Sequence, residues 1–276
     1  MDILEIIKAV VFGVVQGITE WLPISSTGHM ILLDEFVQLD MTPKFMEMFY
    51  VVIQLGAILA VLLLFWSKLC PVSLHSNKPH LKKDVLALWP KIVVACIPAG
   101  VVGILWSDVL NTLFFHPLVV IVMLALFGVL FLVVEHQNKE RTPTIESSAK
   151  LTYQAALWIG MFQLIAAILP GTSRSGATII GALMIGVSRV AAAAFTFMMA
   201  VPVMFGASAI KLMSFGLHFT AIECAVLLTG MLVAFLVSIV SIRFLMSFIK
   251  KHDFRIFGWY RIALAAVVAI YFGFIE

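Results

Sequence analysis

Glu20, Ser25, Ser26, Thr27 and His29 fall within ten residues of one another in the stretch QGITEWLPISSTGH, residues 16–29. A carboxylate, a hydroxyl cluster and an imidazole at that density can supply a base, a nucleophile and an acid. Gln16 and Glu20 are four residues apart and share one helix face. Pro23 breaks the helix one turn on, so Ser25, Ser26 and Thr27 fall at a second helix N-terminus, with His29 just inside it. The residue types leave the roles open. Glu20 can act as base on Ser26 or on water, and His29 can protonate a leaving oxygen or attack as nucleophile. Each also has a structural reading: the hydroxyls as helix caps, His29 as a core histidine, Glu20 as the partner of a buried arginine.

A second stretch, PGTSRSGAT at 170–178, has the make-up of an anion cradle. It opens a helix, and helix N-termini present unpaired N–H groups and a partial positive charge. Gly171 and Gly176 allow close backbone approach, while Thr172, Ser173, Ser175 and Thr178 supply hydroxyls. Arg174 is the decisive residue, because its guanidinium stays charged and its planar fork matches phosphate oxygens. Arg174, the N–H groups after Pro170 and the hydroxyls of Ser173 and Thr27 would together hold a phosphate.

Both stretches are set in a chain of 276 residues that is 62% hydrophobic and 12% charged. Its mean hydropathy is +1.10. A soluble domain cannot hide that much apolar surface, so the composition predicts a single all-α polytopic membrane domain. Apolar runs long enough to span occur at about 47–66, 87–106, 117–134, 190–212, 222–248 and 257–275. Lysine and arginine crowd 67–91, 135–152 and 249–256, which places those segments in the cytoplasm, whereas 107–116 holds only Asp108 and 34–46 is mostly acidic. The six spans then alternate and the C-terminus lies outside.

Alternation holds only if 1–33 and 153–187 enter the membrane without crossing it. Each is broken near its middle, at Pro23 and Pro170, as a re-entrant helical hairpin would be. The two also echo each other: Gly13, Gln16, Leu22, Pro23 and Ser26 align with Gly160, Gln163, Leu169, Pro170 and Ser173 at an offset of 147. Entry from opposite sides makes an inverted repeat of about 1–135 and 153–276, with the site near the midplane between the broken helices. The net charge of +3 is scattered over loops and implies no nucleic-acid partner. Cys70, Cys96 and Cys224 are unclustered and read as small core residues. The N-terminus lacks the basic region and cleavage site of a signal peptide.

QGITEWLPISSTGH together with PGTSRSGAT strongly resembles the bacterial undecaprenyl-diphosphate phosphatase family, also known for bacitracin resistance. FYVVIQLGAILAV at 49–61, GVSR at 186–189 and the pair Tyr260-Arg261 extend the resemblance over essentially the whole chain. It implies hydrolysis of an undecaprenyl diphosphate to the monophosphate carrier and inorganic phosphate, with a site facing the outer side of the bacterial cell membrane, and bacitracin competing for the substrate. Carried over by position, Glu20, Ser26, Thr27, His29, Ser173 and Arg174 fall on the family's active-site positions, and Arg261 on a further arginine expected to bind substrate. Gln16 stands where many members have glutamate, so a second carboxylate is missing. With Glu20 the only carboxylate clearly in the site, a Mg²⁺ or Ca²⁺ bound jointly with the diphosphate suits the residues better than an all-protein cage. The competing reading is a polyprenyl-phosphate transporter or flippase, since inverted hairpins are also a transporter device. Small-residue faces near 181–186 and 206–209 can pack helices within the chain or build a homodimer.

Overall fold

The structure is a computed structural model that describes residues 3–73, 80–216 and 218–275. Among them the fold is helical apart from a two-residue antiparallel pair, Val72–Ser73 with His80–Leu81, and a single parallel bridge between Ile145 and Val187. In chain order the helices are α1 (Ile3–Thr19), α2 (Ser26–Phe36), α3 (Pro43–Leu64), the single turn α4 (Trp66–Leu69), α5 (Lys83–Phe114) and α6 (Pro117–Gln137). After a 3₁₀ turn at Ser148–Lys150 come α7 (Tyr153–Ile168), α8 (Arg174–Met184), α9 (Arg189–Phe215), α10 (Ala221–Phe248) and α11 (Arg255–Ile275).

Six helices among the described residues are long and apolar enough to cross a membrane: α3, α5, α6, α9, α10 and α11. They coincide with the six apolar runs. Leu228, Leu232, Leu236 and Val240 of α10 recur every four residues on an exposed face, as lipid-facing side chains do. One boundary differs. Residues 107–114, expected in a connection, continue α5, which runs for 32 residues through Pro90 and Pro98. At 1.5 Å per residue that is about 48 Å, longer than the hydrocarbon core requires. Cys224 is exposed and Cys70 and Cys96 are only half-buried, so the cysteines are not the core residues their size suggested.

The two proline-broken segments form short helix pairs that fold back on themselves, α2 against α1 and α8 against α7. Neither member of a pair exceeds 17 residues. Around them the packing partners exchange in a regular way: α1 lies along α10, α7 along α5, and α6 along α11. The α6–α11 crossing is backbone on backbone. A Cβ on Gly128 would lie 2.9 Å from the Gly258 carbonyl oxygen, and a Cβ on Gly258 would lie 2.8 Å from that of Gly128. Away from the helix breaks, the buried Glu135 carboxylate of α6 accepts from the Arg189 guanidinium of α9 and from the Phe254 N–H at 3.0 Å. That cluster ties the ends of three spans together.

The backbone at the two breaks is alike. Ser25 (φ 75°) and Ser173 (φ 69°) are the only non-glycine residues with positive φ among those described, and each caps the helix that follows. The Ser25 Oγ accepts from the Gly28 N–H at 3.3 Å and the Ser173 Oγ from the Gly176 N–H at 3.2 Å. The structural counterpart of Ser173 is therefore Ser25, not Ser26. The second turn contains one more residue, Gly171 (φ 88°), a conformation that L side chains rarely adopt.

Candidate active site at the two helix breaks

Glu20 lies just beyond the end of α1 and is 6% exposed. Both carboxylate oxygens are engaged. Oε1 pairs with Arg174 Nη2 at 3.1 Å, across from the second break. Oε2 accepts from Gln16 Nε2 at 2.9 Å and from Ser26 Oγ at 3.1 Å. The four-residue spacing of Gln16 and Glu20 thus serves to aim the carboxylate, and Ser26, the first residue of α2, is hydrogen-bonded to it.

Arg174 opens α8. Besides Glu20, it donates from Nη1 to the Thr196 carbonyl of α9 at 3.2 Å, while its buried Nε has no protein partner. Ser175 donates to the backbone carbonyl of Glu20 at 3.2 Å and lies 3.2 Å from the Ser173 hydroxyl. Thr178 is turned inward, with its hydroxyl donating to the Arg174 carbonyl at 2.8 Å and 2.9 Å from the Thr196 hydroxyl. Thr172 is fully buried and its hydroxyl has no partner. Most hydroxyls of this stretch therefore shape the turn.

A cavity of about 160 Å³ opens between the breaks, lined on one side by Glu20, Ser26 and Thr27 and on the other by Gly171, Ser173, Arg174 and Ser175. Together with Ala166, Pro170 and the α9 residues Val203, Met204 and Ala207, Gln54 of α3 completes the wall. It is a residue that the motif reading passed over, although a lone amide in a membrane span is itself a signal. Its Nε2 donates to the Tyr50 carbonyl at 3.1 Å. A second crevice of about 180 Å³ shares Thr27, Ala166 and Pro170 with the first and is otherwise lined by Leu110, Phe115, Ala167 and Ile168.

Of the expected site residues, Gln16, Ser25, His29, Thr172, Thr178 and Arg261 stand outside the cavity wall. His29 has Nδ1 2.7 Å from the Ser25 carbonyl oxygen and Nε2 2.7 Å from the Tyr260 hydroxyl of α11. Arg261 is fully buried without a carboxylate. Its Nη1 donates to the Pro23 carbonyl at 3.3 Å, and its Nη2 to those of Met123 (3.3 Å), Gly171 (2.9 Å) and Thr172 (2.9 Å). Nη1 and Nη2 are thus committed to backbone of both breaks and of α6, the buried Nε has no protein partner, and the Phe127 ring lies 5.9 Å away. Among the described residues no three His, Cys, Asp or Glu side chains cluster as metal ligands.

The family described as bacitracin resistance protein BacA matches residues 9–267. The chain is 59% identical to the undecaprenyl-diphosphatase of Desulfitobacterium hafniense, over 99% of this chain and 98% of that one. It is 57% identical to undecaprenyl-diphosphatase 1 of Clostridium acetobutylicum over 99% of each chain. Its identity to an undecaprenyl-diphosphatase of Enterococcus faecalis is 56%, over 98% of each. Matched from end to end at these identities, the chain belongs to the BacA bacitracin resistance family.

Proposed function

We infer that this chain is an undecaprenyl-diphosphate phosphatase of the bacterial cell membrane, releasing undecaprenyl phosphate and inorganic phosphate. The family and its near-full-length relatives support the activity. The observation that carries the mechanism is the unbroken run of hydrogen bonds from Ser26 through Glu20 to Arg174. The Ser26 Oγ attacks the terminal phosphorus and Glu20 takes its proton. The bond from that phosphorus to the bridging oxygen breaks, and undecaprenyl phosphate departs with the proton. Water then attacks the phosphoserine, losing a proton to Glu20, and Ser26 regains its hydrogen as phosphate leaves. The Arg174 guanidinium and the hydroxyls of Ser173 and Thr27 bind the phosphoryl oxygens, where fixed donors stabilise developing charge. His29 is a poor attacker because both of its ring nitrogens are already engaged.

The donor set also bears on a divalent cation. Glu20, the Gln54 amide oxygen and the Ser26 hydroxyl are hard oxygen donors, too few for an all-protein site. They fit a Mg²⁺ or Ca²⁺ shared with the diphosphate, to which it would supply charge neutralisation. Phosphate release from a lipid diphosphate by the purified protein in detergent, with acid quenching and mass spectrometry of the trapped enzyme, tests the reading. Phosphoserine at Ser26 is the expected intermediate. Phosphohistidine at position 29, or turnover surviving in Ser26→Ala, overturns it.

We infer further that the cavity opens to the outer side of the membrane and that residues 1–135 and 153–276 form an inverted repeat. The resemblance of the two motifs to the family supports the first. The exchanged packing partners and the matching left-handed caps support the second. Hydrolysis there withdraws the lipid diphosphate for which bacitracin competes.

A further inference from the structure

The two helix breaks share a left-handed serine cap but are braced differently. At the second break the Ser173 carbonyl accepts from the Ala177 N–H at 2.9 Å, an ordinary first turn of helix. At the first, the corresponding bond from the His29 N–H to the Ser25 carbonyl is stretched to 3.4 Å. The imidazole takes up the slack, with Nδ1 at 2.7 Å from that same carbonyl oxygen. A carbonyl only accepts, so Nδ1 must carry the proton, and in the neutral ring Nε2 is then left with a lone pair that needs a donor. The hydroxyl of Tyr260 lies 2.7 Å from it, and the two ring planes are 6° apart. On the next residue of α11, Arg261 holds the carbonyls of Pro23, Gly171 and Thr172, so a single step of one helix touches both breaks.

We propose that Tyr260 is a positioning residue for the phosphatase reaction: its hydroxyl donates to His29 Nε2 and fixes the Nδ1–H tautomer, which braces the Ser25 carbonyl. Ser25 at φ 75° is a conformation that an L side chain adopts only when its surroundings hold it. The turn it makes sets Ser26 against Glu20. Tyr260 does not line the cavity and acts through His29 and Ser25. The proposal rests on the reading of Ser26 and Glu20 as nucleophile and base.

Tyr260→Phe keeps the ring and removes only the donor. In the purified, detergent-solubilised protein, kcat should fall about tenfold, the scale of one lost hydrogen bond, with KM unchanged. The independent readout is ¹⁵N NMR of histidine-labelled protein, with the His29 signal assigned by its loss in His29→Asn. The parent should show one protonated and one bare ring nitrogen, and Tyr260→Phe a mixture of tautomers. A parent ring carrying its proton on Nε2 or on both nitrogens overturns the proposal, as does a Tyr260→Phe protein with unchanged tautomer and turnover. Ser26→Ala separates the two readings. It should abolish turnover and leave the His29 signals in place. Surviving turnover would refute the nucleophile while leaving the tautomer result to stand on its own.

Discussion

Removing the Arg174 side chain tests the phosphate cradle most directly. A guanidinium offers five N–H donors. In the resting site Nη2 is on Glu20, Nη1 is on the Thr196 carbonyl, and the buried Nε has no partner. A phosphoryl group accepting from the second N–H of each of Nη1 and Nη2 would make two charge-assisted bonds, worth roughly 1.5–3 kcal/mol each. If both strengthen as charge builds on phosphorus, Arg174→Ala loses about 3–6 kcal/mol of transition-state stabilisation, roughly a hundred- to ten-thousandfold in kcat/KM. Arg174→Lys keeps the charge without the fork and should fall between the two. The assay is phosphate release from a lipid diphosphate in detergent, where sidedness plays no part. Thermal unfolding should be followed in parallel, because Arg174→Ala also strips Glu20 of its cation. A folded Arg174→Ala protein within tenfold of the parent, or a lysine variant equal to it, would refute the cradle.

Exhaustive chelation should abolish phosphate release, and adding back Mg²⁺ or Ca²⁺ should restore it. Full activity after chelation would remove the shared cation from the scheme. Thr27→Cys, on the cavity wall, should react with a membrane-impermeant thiol reagent applied from the outer side of oriented vesicles and resist it from the other. The reverse pattern would contradict the outward opening.

The spans were legible because hydropathy is summed over about 20 residues and tolerates local error. The end of α5 was not, since SDVLNTLF at 107–114 mixes polar and apolar residues without a breaker. The approach of Glu20 to Arg174 could be anticipated from their chemistry, each being an ion that a membrane interior would isolate at great cost. Pairing Ser26 with Ser173 failed for another reason. An alignment anchored on the shared Leu-Pro step cannot see that Gly171 adds a residue to one turn, and only the positive φ of Ser25 and Ser173 reveals the true counterparts. The resemblance implies that Arg261 binds substrate, whereas the partners it has in the fold are backbone carbonyls, which leave no mark in a sequence. Gln54 and Tyr260 lay outside the two motifs, in spans where periodicity draws attention to apolar residues.

The contact between Gly128 and Gly258 bears on all of this. Tyr260 and Arg261 follow Gly258 by two and three residues on α11, and each residue of an α-helix is turned about 100° from the last. The direction in which those side chains project is thus set by how α11 seats on α6. That seating requires the two backbones to meet with no methyl group between them. A shift or roll of α11 at this crossing would swing the tyrosine off the imidazole and the guanidinium off both turns together. The aim of the site is calibrated at a place with no reactive group, by two hydrogens standing where side chains would otherwise be.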